Sequence, residues 1–208
     1  GELDNGWTWS YGLDIDGDTT QDDARLVIGT GGMGEVKLNI SDGGIQKNFI
    51  GALDTYGVSV DNGEGGTYTD SPDTGAMNTI RYTTPSGLPF DTVVKVQYAP
   101  GTGANATASG NSTGTLDAGD EDAIEYSIDV TPMEGLALGV SYYDPDSPQK
   151  AQTTEGGAWG ATYAMGALSI GYGESFYAPG VDTNTTNDVE DYQNKILSAA
   201  FNVNDALS

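Results

Sequence analysis

The sequence predicts an all-β fold of antiparallel, up-and-down strands, and three observations predict it. Apolar and polar residues alternate over ten short stretches, and the segments that join those stretches are alternately short and long. No stretch stays apolar for the ~20 residues that a membrane-spanning helix needs. Thirty-one glycines and twelve tyrosines suit strands and turns better than helices.

In chain order, residues 7–15 place Trp7, Trp9, Tyr11, Leu13 and Ile15 on one face and Thr8, Ser10, Gly12 and Asp14 on the other. Residues 24–30 and 35–40 set Leu26, Ile28, Val36, Leu38 and Ile40 against Arg25, Lys37 and Asn39. Residues 77–84 set Ile80 and Tyr82 against Thr79 and Arg81, and residues 90–98 set Phe90, Thr92, Val94, Val96 and Tyr98 against Asp91, Lys95 and Gln97. The alternation continues through 123–130, where Ile124, Tyr126, Ile128 and Val130 oppose Glu125, Ser127 and Asp129, and through 136–143, where Leu136, Leu138, Val140 and Tyr142 oppose small residues. Stretches at 159–165, 168–177 and 192–203 complete the series, the last with Leu197, Ala199, Phe201 and Val203 on its apolar face.

The joining segments are predicted as tight turns at 4–6, 31–34, 85–89, 131–135, 166–167 and 204–205, rich in residues that supply turn dihedrals. Between them lie long polar segments at 16–23, 41–76, 100–122, 144–157 and 178–190. A membrane barrel has this asymmetry, with short turns at one rim and long loops at the other. Trp7, Trp9, Phe90 and Phe201 fall beside short turns and Tyr98, Tyr142 and Tyr177 beside long loops, which predicts two interfacial girdles. A secreted or surface-layer β-rich protein with a structural or adhesive role is the alternative, because alternation alone also describes a soluble sheet.

Composition removes other classes. Seven basic against 31 acidic residues, a net charge of −24, leave no footprint for nucleic acid. With neither histidine nor cysteine the chain lacks Ser-His-Asp and Cys-His pairs and the usual zinc ligands, so no enzymatic activity is expected. Gly1-Glu2-Leu3-Asp4 has neither the basic start nor the apolar core of a signal peptide.

The opening Gly1-Glu2-Leu3-Asp4-Asn5-Gly6-Trp7-Thr8-Trp9-Ser10-Tyr11 resembles the end of one strand, a tight turn and the next strand in Gram-negative porins. Gly31-Gly32-Met33-Gly34-Glu35-Val36-Lys37-Leu38 resembles their next turn, and the whole is similar in style to general porins of α-proteobacteria, particularly marine ones. The resemblance implies a sixteen-stranded up-and-down transmembrane β-barrel in the bacterial outer membrane, assembled as a homotrimer among outer-membrane lipid and lipopolysaccharide. It also implies that the long loop after the fifth strand folds inward. If residues 1–3 end the second strand, residues 7, 24 and 35 begin the third, fourth and fifth, and the longest loop, 41–76, falls at the constriction. Residues 1–208 then form one partial barrel domain of about ten complete strands, an internal part of a longer chain that lacks the first and last strands. The Pro-Glu-Phe-Gly-Gly motif of enteric constriction loops does not occur in 41–76.

A passage selects by the size, polarity and fixed charge of its lining. Arg25, Lys37, Arg81 and Lys95 share the polar face of four neighbouring strands and are read as a basic wall. The 41–76 segment supplies the opposite sign through Asp42, Asp54, Asp61, Glu64, Asp70 and Asp73, with Lys47 its one cation. Ile45, Phe49, Ile50 and Leu53 stand at helical spacing, as a short helix packed on the wall would need. Acids facing bases across the constriction would produce a transverse field and favour cations overall. No cofactor is expected. Asp14, Asp16 and Asp18 make a weak calcium-like motif without the terminal bidentate Glu, and acidic outer loops are candidates for Ca²⁺ or Mg²⁺.

Overall fold

A computed structural model describes residues 1–14, 23–40, 44–45, 74, 77–100, 122–146, 150–182 and 191–201. These residues are all-β. Ten strands form one antiparallel sheet: β1 (Thr8–Leu13), β2 (Ala24–Gly29), β3 (Glu35–Ile40), β4 (Thr79–Thr83), β5 (Val93–Ala99), β6 (Ala123–Met133), β7 (Leu136–Pro145), β9 (Glu155–Met165), β10 (Leu168–Ala178) and β12 (Tyr192–Phe201). Each pairs with the next in that order, and the sheet is open, with β1 and β12 at its edges. Two short strands, β8 (Lys150–Gln152) and β11 (Val181–Asp182), pair with each other within the long connections on either side of β9 and β10. Both lie in segments that the sequence predicts as loops, because two or three residues carry no readable alternation.

The turn chemistry explains where the other boundaries move. Residues 131–133, expected in a turn, extend β6, and the reversal shrinks to Glu134 and Gly135. Gly135 has φ +79°, and a Cβ there would stand 2.2 Å from the Ala164 carbonyl oxygen. Only glycine fits both conditions. Phe90 and Asp91, expected to open a strand, instead sit in a 3₁₀ turn over Pro89–Asp91 with φ of 60° and 48°. Pro89 has no N–H to give to a ladder, and Thr92 Oγ1 donates to its carbonyl at 2.6 Å, which closes the turn. β9 starts at Glu155, four residues before the predicted Trp159, since the glycines at 156 and 157 lack the apolar signal of a strand.

Register fixes the faces. The cross-strand row that starts at Thr8, at the short-turn end of β1, runs through Glu35, Lys95 and Ser141 to Ser175. Ser175 lies seven residues from Leu168, the short-turn end of β10. At ~3.3 Å per residue and ~4.8 Å per strand the row climbs about 23 Å over roughly 38 Å, a slope near 30°. Strands leaning against their own rim in this way have the stagger that closure of a sheet requires.

Burial is inverted relative to a water-soluble sheet. Leu38, Ile80, Ile128, Leu138, Trp159 and Leu197 are exposed, while Lys37, Asn39, Thr79, Gln97, Glu125, Ser127 and Ser141 on the opposite face are buried. Leu38 is 40% exposed and its chain neighbour Lys37 only 9%. The sheet therefore turns its polar face inward and its apolar face out. Tyr177, expected in an outer girdle, is on the inward face opposite Gly156 and stacks on Tyr192 at 6.0 Å; Phe176 takes the outward position. Gly135→Ala is expected to lower unfolding stability by about 1–3 kcal/mol through strain at positive φ. Gly166→Ala, at φ +61° but with nothing within 4 Å of the added Cβ, should cost less in the same denaturant titration.

Candidate functional site

The inward face carries the candidate site. Lys37 stands directly opposite Arg81, Arg81 opposite Gln97, Gln97 opposite Glu125, and Glu125 opposite Tyr143. One row of five strands thus presents two cations, an amide, a carboxylate and a phenol side by side. Arg25 lies one pleat toward the long-loop end, opposite Asn39, and Lys95 one pleat toward the short turns, opposite Thr83. Lys37, Arg81 and Lys95 each stand two residues from the short-turn end of their strand, so they form a band at one height. All four candidate wall residues share the inward face. Arg25 also reaches Asp14, 3.9 Å away, across Gly12, where a Cβ would stand 3.0 Å from the guanidinium Nε.

The two ends of the long connection between β3 and β4 cross this face. Glu125, 1% exposed, accepts hydrogen bonds on Oε1 from the Ile45 backbone N–H at 3.0 Å, and on Oε2 from the Thr74 N–H at 3.2 Å and Oγ1–H at 2.6 Å. Gln97 Nε2 also donates to Thr74 Oγ1. Ile45 is five residues past the end of β3, and Thr74 five residues before β4, yet both reach β6. They can do so only by running sideways over the polar face. Met77 completes the crossing and packs with Ala99, Ala123 and Tyr143 in a small buried cluster. The alanines at these positions leave the room that Met77 fills.

Beyond β6, on β7, β9 and β10, the inward face is built mostly from small residues, among them Gly139, Ser141, Gly156, Ala158, Gly160, Gly171, Gly173 and Ser175. Among the described residues, Asn39 Oδ1 and Ser127 Oγ are buried on this face without a protein hydrogen-bond partner. Buried polar atoms of this kind are normally satisfied by water.

The outward face of the described strands is mostly apolar, and charged residues interrupt it on β10 and β12. Glu174 and Lys195 stand opposite each other on β10 and β12, 3.6 Å apart, and Tyr172 donates its hydroxyl to the Glu174 carboxylate. They edge a depression of about 470 Å³ whose apolar walls include Val140, Tyr142, Trp159 and Phe176. Gly157 lets two of those rings close over it, for a Cβ there would stand 2.8 Å from Phe176 and 3.3 Å from Tyr142. At the long-loop edge Asp122, Asp144, Asp146 and Glu155 gather around a second cleft, and Tyr98 donates to Asp122 at 2.9 Å.

Asp42, Asp54, Asp61, Glu64, Asp70 and Asp73 lie outside the described residues, as do Phe49, Ile50, Leu53, Asp16 and Asp18. Asp14 is described and exposed. Among the described residues no group of His, Cys, Asp and Glu is arranged to hold a metal ion, and no helix is long and apolar enough to cross a membrane. Sequence reading placed Glu125 on the polar face but missed its role, together with Gln97, Thr74 and Met77. Alternation reports which face a side chain takes and carries no signal for a contact 51 or 80 residues away. No protein-family model matches the chain, and no curated protein matches it either.

If the alanines make room for Met77, enlarging one should expel it. Ala123→Leu is expected to destabilise the fold by about 1–3 kcal/mol through overpacking. The same change at outward-facing Ala199 should be close to neutral in a denaturant titration.

Proposed function

We propose that this chain is part of a transmembrane β-barrel of the porin type, a passive channel for small hydrophilic solutes and ions across a bacterial outer membrane. One observation carries the reading: the described sheet buries lysine, glutamate, glutamine and serine on one face and exposes leucine, isoleucine, tryptophan and tyrosine on the other. In water this arrangement is unfavourable on both sides. Buried polar groups lose hydration and exposed apolar area gains nothing. Both terms reverse sign when lipid covers the outer face and water fills the inner one.

The rest of the chain agrees with that reading. All short turns lie at one edge of the sheet and all long connections at the other, as in outer-membrane barrels. The strand stagger suits closure, and a barrel is the one sheet arrangement that leaves no backbone edge in lipid. The resemblance in strand and turn style adds the inward loop, the homotrimer, and lipopolysaccharide among the surrounding lipids. A net charge of −24 and the six acids of 41–76 support a channel that favours cations, with the basic band as the opposite pole of the transverse field.

Reconstitution tests this directly. The full chain is expected to need detergent for extraction and to insert into planar bilayers as discrete, stepwise conductances. A protein released by chelation or denaturant alone, conducting nothing, would favour a surface-layer or adhesive role. Reversal potentials separate the charges: Asp54→Asn with Asp61→Asn and Glu64→Gln should reduce cation preference, and Arg81→Gln with Lys95→Gln should increase it. Unchanged selectivity in both sets would reject these residues as the filter.

A further inference from the structure

We infer that Glu125 is the positioning residue that fastens both ends of the long connection over the basic wall, so that one carboxylate sets the bore at the row of Lys37, Arg81 and Gln97. This rests on the channel reading above and adds to it the residue that fixes the internal geometry.

The chemistry of the contact requires a carboxylate. Each oxygen serves a different end of the same segment: Oε1 takes the Ile45 N–H, and Oε2 takes the Thr74 N–H and hydroxyl. All three donors point at one group, and a carboxylate is the side chain that offers two acceptor oxygens and no donor. Hydrogen bonds to an ionised acceptor are also about twice as strong as neutral ones. Burial strengthens the fastening, since Glu125 is 1% exposed and a hydrogen bond shielded from water is electrostatically stronger than one within it.

Position matters as much as strength. Glu125 is one strand from Gln97, two from Arg81 and three from Lys37 along a single row. An attachment on β4 or β5 would leave the ends beside their own strands; attachment on β6 draws them across the face. Gln97, which donates to Thr74, is buried at 0% exposure, and Lys37 in the same row is buried at 9%. Gln97 then ties Thr74 to the middle of the row, so the crossing is held at two adjacent strands. Ala99, Ala123 and Tyr143 receive Met77 beside it.

Three variants of the full chain, reconstituted in planar bilayers and digested lightly with trypsin, test the inference. Lys47 is the one tryptic site within 41–76 and reports whether the ends are held. Glu125→Ala removes both acceptors and is expected to raise the unit conductance and to speed cleavage at Lys47 roughly tenfold or more, about 1.4 kcal/mol of lost fastening. Glu125→Gln keeps the shape but turns an NH₂ toward one of the donors, so it should release one end and fall between wild type and Glu125→Ala. Ser127→Ala, on the same strand and face one pleat away, should match wild type in both measurements. Should Glu125→Ala fail to assemble, Glu125→Gln carries the test alone. A wild-type chain that conducts while both Glu125 variants match it in conductance and cleavage overturns the inference. A wild-type chain that conducts nothing overturns the channel reading instead, and cleavage at Lys47 still decides whether Glu125 holds the ends.

Discussion

The period-two pleat places inward Lys37 beside outward Leu38 and inward Lys95 between outward Val94 and Val96, and this coupling governs the rest of the molecule. Lys37 cannot be sheltered without presenting Leu38, nor Gln97 without presenting Val96 and Tyr98. A soluble sheet resolves the coupling by covering its apolar face with a second layer. Here the described residues supply cover on the polar side instead, where Ile45, Thr74 and Met77 lie against Gln97, Glu125 and Tyr143. The energetic sense of such a sheet depends on which solvent meets each face. Lipid outside and water inside is the combination that makes both faces favourable.

Within that constraint the inward face divides into two halves with different tasks. Strands β2 to β6 carry the long polar side chains and receive the crossing segment ends. From β7 onward the face is mostly glycine, alanine and serine, which leaves space rather than contacts. The same economy of size appears outside, where Gly157 allows Tyr142 and Phe176 to meet with ring centroids 6.2 Å apart. The paired charges of Glu174 and Lys195 interrupt the apolar face close to these aromatics. Pairing limits what they cost in an apolar setting, and hydroxyl and ring neighbours share the burden.

Much of the fold was legible because its strands obey one rule. Strict alternation located all ten members of the main sheet and assigned Arg25, Lys37, Arg81 and Lys95 to a shared face. Boundaries were less legible where a local residue overrode the pattern. Pro89 pulled Phe90 out of a strand that its alternation favoured, and the glycines at 156 and 157 hid the first turn of β9. The fastening at Glu125 was beyond reach for a different reason. Its partners are Ile45 and Thr74, and nothing in the spacing of either segment points to β6. Long-range contacts of this kind follow from how far a sheet curls, which no local window contains.

The direction in which the two faces point is the claim on which the account stands, and collision accessibility measures it most directly. Nitroxide labels would be placed one at a time at Leu38, Ile80 and Leu138, and at the inward-facing Lys95, Arg81 and Gly139, in the chain reconstituted in bilayers. Labels at the first three should collide freely with lipid-dissolved oxygen and little with a water-soluble nickel chelate, and labels at the second three should show the reverse. Chelate access at Leu38, Ile80 and Leu138, with the Lys95, Arg81 and Gly139 labels shielded from it, would contradict a water-filled interior.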